Sequence, residues 1–193
     1  MEEINWLSGD NPLSESASLI VIAGPPCSGK STLADELSRR LNIASLSMDG
    51  VRRRILPGAA HTRADREVAY RAMHLAAECV LRSGGCIILD APYGHAEDRR
   101  DLFSVAEVSR ARLLLVELKV SPEMAAERLR NRGPDPERPD LTETIVAQSA
   151  REYPYSGSGL LLDTEVSSPD KALQRVIEWI RTSNFRIPPR VGD

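Results

Sequence analysis

The chain has 193 residues, 41% of them apolar and 27% charged, proportions that fit one ordinary globular domain with room for a central sheet. They exclude a disordered or collagen-like chain, and no stretch approaches the ~18 apolar residues of a membrane-spanning helix. A net charge of −3 argues against wholesale nucleic-acid binding, although a local basic strip could still hold a single-stranded end.

The first element is the β-branched run Leu19-Ile20-Val21-Ile22-Ala23, which ends at glycine and predicts a buried strand. Leu33, Leu37 and Leu41 then recur every fourth residue, predicting a helix from Lys30 to Leu41 with one buried stripe. A second strand is expected at Ile43 to Ser47. A longer helix follows from Ala64 to Arg82, its apolar face supplied by Val68, Met73, Leu75, Ala76, Cys79 and Val80, and Ser83-Gly84-Gly85 stops it. Cys86-Ile87-Ile88-Leu89-Asp90 and Leu113 to Leu118 read as buried strands, and Leu160 to Leu162 as a last one. Helices are expected over Glu97–Ser109, Pro122–Asn131, Leu141–Glu152 and Pro169–Arg181. Strands alternating with helices predict right-handed parallel βαβ units, an α/β fold with its sheet covered on both faces.

Residues 1–17 and 184–193 lack periodicity and are expected to be terminal tails flanking one domain over 18–183. Gly133 to Asp140 is rich in breakers and charge, as an exposed loop between two helices would be, and one use for it is a mobile lid spanning about 128–152. Cys27, Cys79 and Cys86 show neither disulfide nor zinc spacing and read as reduced thiols. With no secretory pattern at the N-terminus, a cytoplasmic protein is expected. His61, His74 and His95 lack metal-ligand spacing and read as surface or boundary residues.

Between the first strand and the first helix lies Gly24-Pro25-Pro26-Cys27-Ser28-Gly29-Lys30-Ser31-Thr32, which satisfies G-x-x-x-x-G-K-[ST] in the context that the motif requires. Glycines let successive backbone N–H groups point inward as an anion cradle, and the helix adds the positive end of its dipole. Lys30, one of only three lysines in the chain, is placed to neutralise β- and γ-phosphate charge. The Ser31 hydroxyl is a hard oxygen suited to Mg²⁺. Asp90 ends an apolar strand, where a charge is unusual unless it meets a cation, so it is a second candidate metal residue and could also touch an acceptor. ATP with Mg²⁺ is the implied ligand.

Other classes with this loop are less well served. Guanine nucleotide proteins read their base with Asn/Thr-Lys-x-Asp, but Lys119 and Lys171 are followed two residues on by Ser121 and Leu173. Many ATP-hydrolysing motors place Glu directly after the strand-ending Asp, whereas Asp90 is followed by Ala91.

What is left resembles the small P-loop kinases, in the group that includes polynucleotide kinases, chloramphenicol phosphotransferase, gluconate kinase and zeta-type toxins. The resemblance covers about residues 19–182 and rests on the loop, Ser47-Met48-Asp49-Gly50-Val51-Arg52, Asp90, and Arg128-Leu129-Arg130-Asn131-Arg132. It implies a three-layer α/β/α sandwich around a five-stranded parallel sheet, order 2-3-1-4-5, with a helical lid after the fourth strand. Asp49 stands where polynucleotide-kinase-like enzymes keep an acceptor-binding carboxylate. There it could orient the acceptor hydroxyl and take its proton as general base; as a structural residue it would cap a helix or turn.

The same resemblance implies that Arg128 and Arg132 close over ATP and stabilise charge on the transferred group, and that Arg52 contacts a substrate phosphate. Arg52 to Arg54, with Arg63 and Arg66, could together form an anion-binding patch. The expected activity is transfer of the γ-phosphoryl group of ATP to a hydroxyl on a small molecule. The alternatives are a polynucleotide 5′-hydroxyl kinase, with a nucleic-acid end as acceptor, and an ATP-binding regulatory protein that transfers little phosphate. The acceptor and the oligomeric state are not encoded in any of these patterns.

Overall fold

The computed structural model describes residues 17–58, 61–133, 138 and 140–183. Apart from residue 17 the expected tails lie outside this set, as do residues 134–137 and 139 of the expected lid loop. The elements follow in the order β1 (Ser18–Ala23), α1 (Lys30–Leu41), β2 (Ala44–Ser47), α2 (Met48–Ile55), α3 (Arg63–Arg82), β3 (Cys86–Asp90), α4 (Ala96–Val108), β4 (Arg112–Lys119), α5 (Pro122–Arg132), α6 (Glu143–Arg151), β5 (Leu160–Asp163) and α7 (Pro169–Thr182). The five strands are all parallel, in the order β2-β3-β1-β4-β5.

Period-2 alternation on buried strands builds both layers of core. Leu19, Val21 and Ala23 of β1, Ile87 and Leu89 of β3, and Leu113 and Leu115 of β4 pack on one face against α3 and α4. Ile20, Ile22, Ile88, Leu114, Val116 and Leu118 pack on the other against α1 and α7. β1 therefore needs apolar residues at every position, and all six of its residues are buried. The edge strand β2 has no buried residue and is accordingly short and mixed in composition. A third, smaller cluster of Val120, Ala125, Leu129, Val146 and Ala150 joins α5 to α6, with Cys27 and Leu141 packed against it.

Helix entries are set locally. Ser121 and Ser168 accept hydrogen bonds from Met124 N and Lys171 N, with Pro at the following position, and Thr62 with Asp65 forms a reciprocal capping box at α3.

Two features depart from the sequence reading. α2 was not anticipated: a glycine in its first turn and Arg52-Arg53-Arg54 in its last leave only Met48 and Arg52 buried, so no apolar stripe marks it. The buried face of α3 is Ala69, Tyr70, Met73, His74, Ala77 and Leu81, while Val68 and Leu75 are exposed. Tyr70 and His74 win those positions because their polar atoms find partners inside. The Tyr70 hydroxyl accepts from Tyr93 N at 3.0 Å, and His74 Nε2 lies 3.1 Å from the Tyr93 hydroxyl under a stacked ring. His74 is thus a core residue rather than a boundary one. All three cysteines are free thiols. Among the described residues no helix is long and apolar enough to cross a membrane.

Candidate active site

The parallel sheet delivers its chemistry-bearing residues to one edge, at the carboxyl ends of the strands, where ligands bind open α/β sheets. The loop from Gly24 to Gly29 leaves β1 there, and Asp90 ends β3 next to both Ile22 of β1 and Ser47 of β2. Asp49 follows two residues later, in the first turn of α2, whose N-terminal Ser47 hydroxyl accepts from Gly50 N.

The loop is built around its glycines. A Cβ at Gly24 would sit 2.7 Å from the Leu118 carbonyl oxygen, closer than a side chain can approach. Gly29 caps α1 at φ +94, a left-handed conformation that favours glycine. Cys27 also takes a left-handed φ of +61, although it carries a side chain. Lys30 Nζ donates to the Pro25 carbonyl at 2.8 Å, folding the ammonium back over the loop. Burial lowers its pKa, against the attraction of Asp90 and Asp49, which raises it.

Ser31 Oγ donates to Asp90 Oδ2 at 2.6 Å. Two hard oxygens therefore converge across 59 residues of sequence, the donor type that Mg²⁺ takes before filling its shell with phosphate oxygens and water. Among the described residues no cluster of three His, Cys, Asp or Glu could hold a metal ion by itself. Burial raises the Asp90 pKa; Lys30 and the Ser31 hydrogen bond pull it down without cancelling the shift.

That shift has a measurable sign. A carboxyl raised above its unfolded value gives stability that is full below the unfolded pKa and is lost as pH climbs through the folded one. Asp90→Asn should therefore raise the Tm of the ligand-free protein at neutral pH, with the gain shrinking as pH falls toward the ordinary value of 3.8. Thermal melts across that pH range check this, and a lower Tm for the variant at neutral pH contradicts it.

A cavity of about 350 Å³ opens in front of these groups. Its lining brings together Lys30, Ser31 and Asp90 with Asp49 of α2, Arg63, Arg66 and Tyr70 of α3, Asp98 of α4, Arg132 of α5, and Glu152 and Tyr153 after α6. A second hollow of about 380 Å³ lies on the other side of the loop, lined by Ser28, Gly29, Thr32, Leu118, Arg128, Thr164 and Pro169 among others.

The expected arginines divide between these two hollows. Arg132 lines the first. Arg128 instead donates to the Cys27 carbonyl at 3.2 Å and to Thr164 Oγ1 and the Thr164 carbonyl at 2.9 and 2.8 Å. It ties α5 to the phosphate-binding loop and to the turn after β5, so its geometry is that of a brace beside the second hollow. Arg52 is buried behind Asp49, its Nε 4.0 Å from Oδ1, and does not line the cavity. Arg53 and Arg54 are exposed, so of the expected basic patch Arg63 and Arg66 reach the cavity.

Sequence reasoning missed Arg138. From the loop before α6 its Nη1 donates to Asp49 Oδ2 at 2.8 Å, and Asp140 holds its Nε side at 3.2 Å. In a segment full of charge and proline nothing marked it, because the pairing spans 89 residues. The floor of the cavity was equally hidden. Tyr153 donates to the Pro92 carbonyl at 2.6 Å, and Arg99 joins the Tyr93 carbonyl to buried Glu117, which also accepts from Ser156. These bonds fix the loop between β3 and α4, where Tyr93 has a φ of +48.

Residues 19–155 match the model of a family described as an AAA domain. No curated protein sequence matches the chain. Among solved structures, the Mycobacterium tuberculosis APS kinase CysC in complex with AMPPNP and APS has a TM-score of 0.69 at 20% identity, over 86% of this chain and 99% of that one. A gluconokinase from Sinorhizobium meliloti 1021 has a TM-score of 0.64 at 17% identity, over 84% and 91%. Chaetomium thermophilum Kti12 in complex with ADP-AlF3 has a TM-score of 0.61 at 20% identity, over 84% and 98%. With most of its length inside the family match, and with this loop, sheet order and cavity, the chain belongs to the AAA domain family and carries the fold of the small P-loop kinases.

Proposed function

We propose that the protein is an ATP-dependent kinase that transfers the γ-phosphoryl group to a hydroxyl of a small molecule. The observation that carries this reading is the meeting of Asp49 with Lys30, Ser31 and Asp90 in one cavity of about 350 Å³. A carboxylate near the phosphate loop can orient a hydroxyl in line with phosphorus and take its proton as the new O–P bond forms and the bond to ADP breaks. The volume suits a metabolite, and extended polynucleotide is the less favoured acceptor. Small-molecule kinases with this fold agree with that choice.

In this reading Lys30 leaves the Pro25 carbonyl for the β- and γ-phosphates, and the backbone N–H groups of Cys27 and of Gly29 to Thr32 hold the phosphate chain, since Pro25 and Pro26 have none to offer and Ser28 N donates to the Pro25 carbonyl. Ser31 and Asp90 would hold Mg²⁺, which when bound offsets charge on the phosphate oxygens. The second hollow, between Thr32 and Arg128, takes the nucleoside. Arg132 faces the transferred group, and the α5–α6 pair serves as the lid.

The Arg138–Asp49 ion pair favours a second reading, an ATP-operated switch with little transfer, because the pair keeps the base engaged by a cation. Labelled ATP offered with sugars, nucleosides, antibiotics and 5′-hydroxyl oligonucleotides separates the two. Label in a small hydroxylated acceptor is the expected result. Tight ATP binding with no transfer to any acceptor would establish the switch instead.

A further inference from the structure

Three residues of α3 face the cavity at i, i+3 and i+7: Arg63, Arg66 and Tyr70. Two have their polar atoms committed to the protein. Arg63 makes a two-pronged pair with buried Asp98 at 2.9 and 3.0 Å and a third bond to Glu67, and the Tyr70 hydroxyl accepts from Tyr93 N. Arg66 differs. Its Nε is buried, yet among the described residues it has no hydrogen-bond partner.

A buried N–H without an acceptor carries a desolvation cost, and Arg66 is half-buried in the lining of the cavity, where an anion could pair with its guanidinium and offset that cost. The carboxylates of the lining do not fill that role. Asp98 is taken by Arg63, Asp49 by Arg138, Asp90 by Ser31, and Glu152 accepts from Gln148. Phosphates of ATP are claimed by the loop and Lys30 at the sheet edge, whereas Arg66 projects from α3, which packs against α2, the helix that carries Asp49.

We propose that the acceptor is a small hydroxylated oxyanion, a carboxylate or a phosphate ester, and that Arg66 on α3 binds its anionic group. The planar fork of arginine suits both chemistries. Arg66, one member of the expected basic patch, thereby takes the charge-reading role that the family resemblance implied for Arg52, which is buried behind Asp49. The inference rests on the phosphotransfer reading and adds the charge of the substrate and the residue that selects for it.

The test uses the full chain with γ-labelled ATP and matched acceptors that differ only in charge: D-gluconate against D-glucose, D-glycerate against glycerol, and adenosine 5′-phosphate against adenosine. Transfer confined to anionic members is the expected result, and the carboxylate and phosphate arms identify which oxyanion is used. Arg66→Met should raise KM for the anionic acceptor by ~100-fold, the loss of a charge-assisted pair, with little change in KM for ATP; Arg66→Lys should recover part of it. Equal turnover of neutral members, or an equal loss on both members in Arg66→Met, overturns the inference and leaves the kinase reading intact. No transfer to any member overturns both. Should Arg66→Met not fold, the acceptor pairs and the lysine variant still decide.

Discussion

Asp49→Asn should lower kcat for phosphoryl transfer by ~10³-fold, within the range that a positioned general base supplies, while ATP affinity changes little. Asparagine keeps the shape of the side chain and can still accept a hydrogen bond from Arg138, which in the native protein donates to Asp49 Oδ2 at 2.8 Å. What it loses is the ability to take a proton. The hydroxyl then has to shed its proton to water or to the phosphoryl oxygens, and the acceptor is oriented by a weaker partner. Steady-state kinetics on the acceptor found by labelled transfer, paired with direct ATP binding, measures both quantities. Full activity in Asp49→Asn on that acceptor would sink the assignment. A loss of ATP affinity in proportion to the loss of rate would make Asp49 a residue of the nucleotide site.

Lys30→Met should be the most damaging change to turnover and, at the same time, a stabilising one. The ammonium bonds to the Pro25 carbonyl over the loop and is the cation nearest in sequence to the phosphate cradle. Its removal should cost at least ~10³-fold in kcat/KM, the scale of losing a preorganised charge at a developing phosphoryl transition state. Stability moves the other way because burial lowers the Lys30 pKa in spite of Asp90 and Asp49. A base depressed in the folded state is least favourable when charged. The stability associated with its neutral form is therefore present above the unfolded pKa and lost as pH falls through the folded one. At neutral pH the charged lysine opposes folding, so the methionine variant should melt higher, and its advantage should fade as pH approaches the ordinary lysine value of 10.5. Melting and ATP-binding curves on one preparation check both halves. A variant that melts lower at neutral pH removes the argument that the site stores unfavourable burial.

Together with Asp90, these residues give the site a common physical character. Burial opposes the charge on Lys30 and on Asp90, and each is only partly relieved by the other. A cradle that holds unfavourable charge in the absence of phosphate follows the usual trade of stability for activity at functional sites.

Much of this was legible in the chain because it depends on short-range pattern. Apolar runs bounded by glycine or charge gave each strand to within one residue at either end, and the loop was readable because its function requires glycine, lysine and serine at fixed spacing. Asp90 could be singled out because a carboxylate at the end of Ile87-Ile88-Leu89 conflicts with its surroundings, and it meets Ser31. Where period and hydropathy disagreed with packing, the reading failed. Tyr70 and His74 are core residues because Tyr93 supplies their partners, and an eight-residue helix with three arginines in its last turn carries no stripe to detect.

The arginines show the limit most clearly. This chain has many, and a guanidinium on a flexible stem reaches far enough that position in sequence says little about its target. Arg128 and Arg132, four residues apart, line different hollows; Arg52 is buried behind Asp49; Arg66 and Arg138 line the cavity in front of Lys30 and Asp90. By itself the sequence determined the parallel α/β fold, the phosphate loop and the two carboxylates, because local conformation and spacing are written in consecutive residues. Tertiary structure alone decided which arginine lines which hollow and what floors the first cavity. Those contacts join α2, α3, α4 and α6 across tens of residues, and only packing sets the distances between them.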